Sequence, residues 1–348
     1  MDLQENVDLR AHSTMRLGGR ARWLATVTAE EQLPQLVELA RSKNVPWVMI
    51  GHGSNIIWRD EGFNGLVIVN QLLGRKILDE DSEGVTVRLG AGEVWDRAVA
   101  WSVDKGWSGL EFLSLIPGLT GAAPVQNIGA YGAEIADTLT EVAVFDSYTD
   151  AFGTILANNC GFAYRTSRFK VADKRRFMIT ALTLRLSKVS PTPPFYESLQ
   201  GYFSEQGITS FSPAIVREGV IALRNRNLPD PAKIANNGSF FTNPIISQNQ
   251  LQKLLRDYPA IKNWPHKDGY VKISAGWLLE EAGFKDFHDK QTGMATWGPQ
   301  ALVFINEHAK STADLLAFKQ KVTGKIQQLF GITLEQEPEL LPQQVGSL

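Results

Sequence analysis

Gly109-Leu-Glu-Phe-Leu-Ser-Leu-Ile-Pro117-Gly118-Leu-Thr-Gly121-Ala-Ala-Pro124-Val-Gln126-Asn127-Ile-Gly129-Ala130-Tyr131-Gly132-Ala-Glu134 is the stretch on which the fold turns. Five glycines and two prolines break an apolar run, so it is neither a helix nor an ordinary strand. Glycine is selected where φ must be positive or where a ligand must touch the backbone. The apolar residues between the glycines fit a loop that covers a flat or anionic ligand better than a solvated surface loop, the alternative for such a sequence.

Two shorter glycine turns precede it. Pro46-Trp-Val-Met-Ile50 has the composition of a buried strand and runs into Gly51-His52-Gly53-Ser54-Asn55, followed by Ile56-Ile-Trp58. Val85-Thr-Val-Arg-Leu89 alternates as a strand does and ends in Gly90-Ala91-Gly92, after which Val94, Trp95, Ala98, Val99 and Ser102 fall on one helix face. Neither turn completes G-x-G-x-x-G, because the third glycine is replaced by Ile56 and Trp95, so a Rossmann unit is excluded. The three turns together suggest another way of holding a pyrophosphate, with backbone N–H groups from several loops forming anion nests.

Around these turns the pattern is α+β. Arg22–Val27 reads as a strand, Thr28 with Glu31 has the form of a capping box, and Leu33, Leu36, Val37 and Ala40 repeat at helical spacing after it. Val142–Phe145 and Phe177–Leu186 are strand-like, and the proline-rich Ser190–Pro194 reads as a boundary. Beyond it, Leu251–Leu255 and Trp277–Ala282 are helical in pattern and Ala301–Ile305 is a buried strand. Ser311 with Asp314 caps a helix that buries Leu315, Phe318, Val322 and Ile326 and stops at Gly331.

Composition limits what the chain can bind. With 348 residues, a net charge of -2 and no Lys/Arg run, it has no electrostatic footprint for nucleic acid or an anionic membrane surface. No apolar run approaches the ~20 residues needed to span a bilayer, and the N-terminus lacks signal-peptide character, so a cytoplasmic protein with small-molecule partners is expected. The single cysteine, Cys160, excludes an intrachain disulfide and reads as a buried small hydrophobe, and the five histidines never fall at metal-ligand spacing.

The motifs taken in order carry a specific resemblance. Ile50-Gly-His-Gly-Ser-Asn55, Gly90-Ala-Gly-Glu93, Gly109-Leu-Glu111 with Ile116-Pro-Gly118, and Gln126-Asn-Ile-Gly-Ala-Tyr-Gly132 resemble the flavin-binding motifs of the UDP-N-acetylenolpyruvoylglucosamine reductase family. Cys160-Gly-Phe-Ala-Tyr-Arg165, Leu228-Pro-Asp-Pro231, Gly238-Ser-Phe-Phe241 with Asn243-Pro244, Lys272-Ile-Ser-Ala-Gly-Trp277 and Glu337-Pro-Glu339 continue the likeness almost to the end of the chain. It implies the vanillyl-alcohol-oxidase type of FAD fold, with one FAD subdomain at 1–70 joined by 332–348, a second at 71–190, a linker and tyrosine loop at 191–218, and a substrate domain at 219–331. It implies noncovalent FAD, NADPH as co-substrate, and reduction of the enolpyruvyl group of UDP-N-acetylglucosamine enolpyruvate to UDP-N-acetylmuramate for peptidoglycan; a monomer is expected. The flavin contacts it implies are Gly51, His52, Gly53, Ser54, Asn55, Gly118, Gly121, Gln126, Asn127, Gly129, Ala130 and Tyr131.

Hydride addition at the terminal vinyl carbon leaves a carbanion beside a carboxylate, so the second half-reaction requires charge stabilisation and a proton donor. Arg165, Glu339 and Ser239 match the family's catalytic arginine, glutamate and general acid. Read without the resemblance, they are a structural ion pair, a solvated charge and a turn serine. As a charge stabiliser, Glu339 is expected in a buried site that raises its pKa. Tyr196 resembles the loop tyrosine of one of the family's two subtypes, and is otherwise a linker aromatic. Arg224 and Asn243 match substrate positions. Asn227 replaces the usual lysine before Leu-Pro-Asp-Pro, so a diphosphate contact is missing or has moved to Arg226.

Overall fold

The computed structural model describes residues 2–343, leaving Met1 and the last residues of the expected 332–348 return segment outside it. The chain forms two compact units. The first comprises the chain up to Val7, Ala21–His52 and Asn64–Arg226; the second comprises Asp8–Arg20, Gly53–Phe63 and the chain from Asn227.

In the first unit a four-stranded sheet runs in the order Leu3–Asp8, Arg20–Val27, Phe63–Asn70, Trp47–Ile50. Its last pair is parallel, with Val48 opposite Val67. Helix α1 (Gln32–Ser42) connects Arg20–Val27 to Trp47–Ile50, two strands that are not neighbours in the sheet, and its Leu33, Leu36, Val37 and Ala40 are buried. The expected Thr28/Glu31 capping box is absent. Glu31 makes no side-chain cap bond; instead Gln32 Oε1 accepts from the Thr28 and Ala29 amides. The turn is already closed by Gln32 N–H to Ala29 O, and Pro34 lies in the first helical turn, where its missing N–H costs nothing.

The second sheet of this unit is antiparallel: Ala151–Leu156, Leu139–Asp146, Phe177–Ser187, Gly84–Gly90, Arg75–Glu80. Helix α2 (Trp95–Asp104) leaves the Gly90–Gly92 turn and buries Trp95, Ala98, Val99, Ser102 and Val103 against the core behind this sheet. Helices α3 (Glu197–Glu205) and α4 (Pro213–Asn227) close a small core of Leu199, Phe203, Val216, Val220 and Leu223, with Phe112 and Tyr131 at its margin.

The second unit is also α+β. Ala235–Ser239, Gln300–Asn306, Met294–Trp297 and His288–Asp289 form one antiparallel sheet, and Ile245–Ser247, Tyr270–Ile273 and Asn263–Pro265 another. Around them lie α5 (Gln248–Asp257), α6 (Ala275–Glu281) and α7 (Thr312–Phe330). Helix α7 has the expected Ser311/Asp314 capping box, ends at Gly331 with φ 65°, and buries Leu315, Phe318, Val322 and Ile326. The core it covers also takes Met15, Leu17 and Ile57 from far upstream. No helix among the described residues is long and apolar enough to cross a membrane.

Candidate flavin and substrate site

The glycine turns of the first unit stack directly on one another. Gly92 N donates to Leu72 O at 2.9 Å, Gly121 N to Ala91 O at 2.8 Å, Thr120 N to Glu93 O at 2.8 Å and Trp95 N to Gly118 O at 3.1 Å. A Cβ on Gly92 would lie 2.5 Å from the Gln71 carbonyl carbon, and one on Gly121 would lie 2.6 Å from Ala91 Cβ. A Cβ on Gly51 would meet Leu119 at 3.3 Å. The glycines are thus required for backbone to pack on backbone, and Gly118 in addition holds φ 132°. Glu93 braces the ledge by accepting from the Gly74 amide at 2.9 Å and pairing with Arg75 at 2.6 Å. A ledge of backbone from these turns fits the pyrophosphate of FAD, which would be held by main-chain N–H groups of Gly51, His52 and Leu119. Burial lowers the His52 pKa, which keeps that imidazole neutral at physiological pH.

The far end of the Gly-rich stretch is built on residues with positive φ: Asn127 (47°), Tyr131 (50°) and Gly132 (86°). Buried Asn127 donates to Glu134 Oε2 at 2.6 Å and to Ala163 O at 3.3 Å, and accepts from Ala136 N at 3.2 Å. Its side chain therefore shapes the loop, and its backbone is what it can offer to a cofactor. Gly129 and Ala130 pair with Glu134 and Ala133 in a two-residue hairpin, and Gln126 is half-buried just before it. Arg165, itself at φ 54°, donates Nη2 to Gly129 O at 2.7 Å, so the expected catalytic arginine is tied to the flavin loop.

Three of the expected substrate residues, Tyr196, Arg224 and Arg226, lie in the same unit as the expected flavin contact Tyr131. The Tyr131 and Tyr196 rings meet edge to face at 6.1 Å, with Tyr196 46 % exposed at the start of α3. Burial raises the Tyr131 phenol pKa against the opposing pull of Arg224 and Arg226. Arg224 and Arg226 occupy the last turn of α4. Arg224 Nε is sealed from solvent with no hydrogen-bond partner among the described residues, and burial pulls its guanidinium below the ordinary range. A buried, incompletely paired guanidinium has a donor to spare for a ligand anion. Arg226 is exposed, and Asn227 beside it is half-buried at the helix end.

In the second unit, Ser239 ends a strand whose register with Gln300–Asn306 slips between Asn236 and Ser239, where Gly238 has φ 70°. Such a bulge re-aims the following side chain. Asn237, within the bulge, directs Nδ2 at Ser54 O (3.0 Å), Thr14 Oγ1 (3.2 Å) and Ile56 O (3.3 Å). These acceptors fix the turn Gly53-Ser54-Asn55, in which Gly53 has φ 70° and no room for a Cβ beside His12 O. Glu339 begins the strand Glu339–Leu341, which pairs in parallel with Ile56–Trp58. Glu339 itself is half-buried. Asn243 accepts from Ala275 N at 3.0 Å and so also caps α6.

Three residues join the site description that sequence reasoning passed over. Asp96, Arg217 and Asn237 make their decisive contacts across long sequence separations, as in the Asp96–Arg217 pair at 2.7 Å, and no local pattern announces them. The Asn-Asn doublet before Gly238-Ser239 was the available signal for Asn237, since turn-forming asparagines often bind neighbouring backbone. Cys160 is buried with its Sγ directed at Leu156 O, and burial raises the thiol to about 11. No group of His, Cys, Asp or Glu among the described residues could hold a metal.

Residues 21–155 match the FAD binding domain family, and residues 230–341 match the C-terminal domain of UDP-N-acetylenolpyruvoylglucosamine reductase. Over the whole chain it is similar to the UDP-N-acetylenolpyruvoylglucosamine reductase of Alcanivorax borkumensis, at 41% identity covering 97% of this chain and 96% of that one. The Pseudomonas aeruginosa enzyme of the same name is 36% identical, covering 98% and 99%. A crystal structure of the reductase from Thermus caldophilus superposes with a TM-score of 0.66 at 24% identity, over 98% of this chain and 100% of that one. The chain therefore has an FAD binding domain within the overall fold of that reductase, with FAD as its cofactor. With both family domains present in order and relatives alike along their full length, the chain belongs to the UDP-N-acetylenolpyruvoylglucosamine reductase family.

Proposed function

We propose that the protein reduces the enolpyruvyl group of UDP-N-acetylglucosamine enolpyruvate to the lactyl ether of UDP-N-acetylmuramate with NADPH, in the cytoplasm, as a step of peptidoglycan precursor synthesis. The observation that carries this reading is an FAD binding domain followed by the reductase C-terminal domain in one chain. FAD, when bound and first reduced by NADPH, would supply the hydride for the terminal vinyl carbon. The protein's own residues then deal with what the hydride leaves behind, a carbanion conjugated to a carboxylate. Arg165 binds the carboxylate and offsets its growing charge, a role for which a guanidinium fork suits better than a lysine. Glu339 supports the same charge as it develops. Ser239 delivers the proton to the carbanion carbon, which is basic enough to accept from a hydroxyl.

Tyr196 acts as the loop tyrosine that closes on the nucleotide diphosphate, next to Tyr131. Arg224 binds an anionic part of the sugar nucleotide. Arg226 takes over the contact that Asn227 cannot make, and Asn243 orients the sugar.

Anaerobic stopped-flow mixing tests the reading as a whole. NADPH should bleach the bound flavin, and the enolpyruvyl sugar nucleotide should restore its colour with formation of the lactyl ether. Rapid reoxidation by air alone, indifferent to the sugar nucleotide, would make the protein an oxidase of the same fold instead.

A further inference from the structure

Asp96 lies in the first turn of α2, where a carboxylate is favoured by the helix N-terminus, yet its side chain reaches away to two other elements. Oδ1 accepts from Arg217 Nη1 at 2.7 Å and from the Leu115 amide at 2.6 Å, while Oδ2 accepts from Arg217 Nη2 at 2.9 Å. The Arg217 fork is thus fully engaged, with only 14% of its side chain exposed. Leu115 has φ 59°, a conformation that a side chain of its size rarely adopts, and it sits two residues before Pro117-Gly118 of the flavin loop. Arg217 belongs to α4, and Arg224 follows it by seven residues, or two turns along the same helix face, about 10 Å further on. One carboxylate therefore joins the strained part of the flavin loop to the helix that carries Arg224.

We propose that Asp96 is a positioning residue for substrate binding: by clamping Arg217 and the Leu115 amide it fixes α4 against the flavin loop and so sets where Arg224 meets the anionic part of the sugar nucleotide. The inference rests on the role given to Arg224 above. Its electrostatics run the same way. The Asp96 carboxylate attracts the Arg224 guanidinium and offsets part of the burial that otherwise discourages its charge. Asp96→Asn keeps the size of the side chain and an acceptor for Leu115, and it removes the charge and one arm of the Arg217 fork.

The test is a double-mutant cycle on the FAD-loaded protein, with the dissociation constant of the enolpyruvyl sugar nucleotide read from the perturbation of the flavin spectrum. Arg224→Met should weaken binding at least about 10-fold while the protein stays folded, because exchanging a poorly paired buried charge for an apolar side chain is seldom destabilising. Asp96→Asn should weaken binding about 10-fold in the wild-type background and less than about 2-fold in the Arg224→Met background. Equal weakening in both backgrounds, or none in either, would overturn the positioning role. An unchanged dissociation constant for Arg224→Met alone would instead overturn the substrate role of Arg224, a separate failure. Should Asp96→Asn not retain flavin, Arg217→Lys runs the same cycle, since it keeps the charge and loses the fork.

Discussion

The Glu339 amide donates to Asn55 O at 2.9 Å, so the strand of the proposed charge-stabilising glutamate is tied to the turn that follows Gly53. The neighbouring carbonyl, Ser54 O, accepts from Asn237 Nδ2 at 3.0 Å, two residues before Ser239. One turn thus anchors the strands of both residues within the second unit.

That arrangement makes Asn237 a sensitive position. Its amide nitrogen faces three backbone carbonyls and a hydroxyl, so Asn237→Ala should lower stability by about 1–3 kcal/mol. Asn237→Asp should cost more, because a carboxylate in the same place turns acceptors against acceptors. Thermal unfolding of the two variants checks the order; an aspartate variant as stable as wild type would show that the amide nitrogen is not the group that matters.

Ser239→Ala should divide the catalytic cycle. Flavin reduction by NADPH needs no proton on substrate carbon and should proceed nearly as in wild type, whereas reoxidation by the enolpyruvyl sugar nucleotide should fall by ~10²–10⁴. That loss is about 3–5 kcal/mol of barrier. Ser239→Cys should recover part of it. Equal slowing of both half-reactions would make Ser239 a determinant of cavity shape and not the proton donor.

The stacked glycine turns predict a graded response in flavin content. Gly121→Ala forces a methyl to within 2.6 Å of Ala91 Cβ and should cost about 1–3 kcal/mol together with lower FAD occupancy after purification. Gly153→Ala, whose Cβ would meet nothing within 4 Å, should keep full occupancy and wild-type stability or better. The absorbance ratio of flavin to protein reports both.

Acid titration isolates one ion pair. The Arg176 guanidinium, forked onto Asp146 at 2.7 and 3.1 Å, holds that carboxyl at about 2, below its ordinary 3.8. A depressed folded-state value means that the pair's stabilisation is complete above about 3.8 and is lost as pH falls through about 2. Arg176→Gln should return the Asp146 carboxyl toward 3.8 in a carbon-detected NMR titration. Its stability deficit against wild type should shrink as pH falls across the same window. A deficit that does not vary with pH would mean that Arg176 acts through packing.

What could be read in the sequence was what is encoded locally. The α7 cap at Ser311/Asp314, its Gly331 stop and the short glycine turn Gly90–Gly92 each lie within a few residues, and each is present. The Thr28/Glu31 pattern failed because Gln32 competes for the same amides, a choice that residue types alone do not decide. Helix α4 escaped notice because its buried Pro213, Val216, Gly219 and Val220 include two residues that ordinarily argue against a helix. The Asp96–Arg217 clamp spans 121 positions and leaves no local trace.

The second unit takes Met15, Leu17 and Ile57 into the same buried core as Phe240, Phe304 and Phe318. A gene segment starting at Asn227 would therefore encode a core with gaps where those side chains belong. The C-terminal half is not a cassette that could be grafted onto another flavoprotein by one recombination event. To travel, it would have to bring Asp8–Arg20 and Gly53–Phe63 with it, so the halves of this protein are expected to be inherited together.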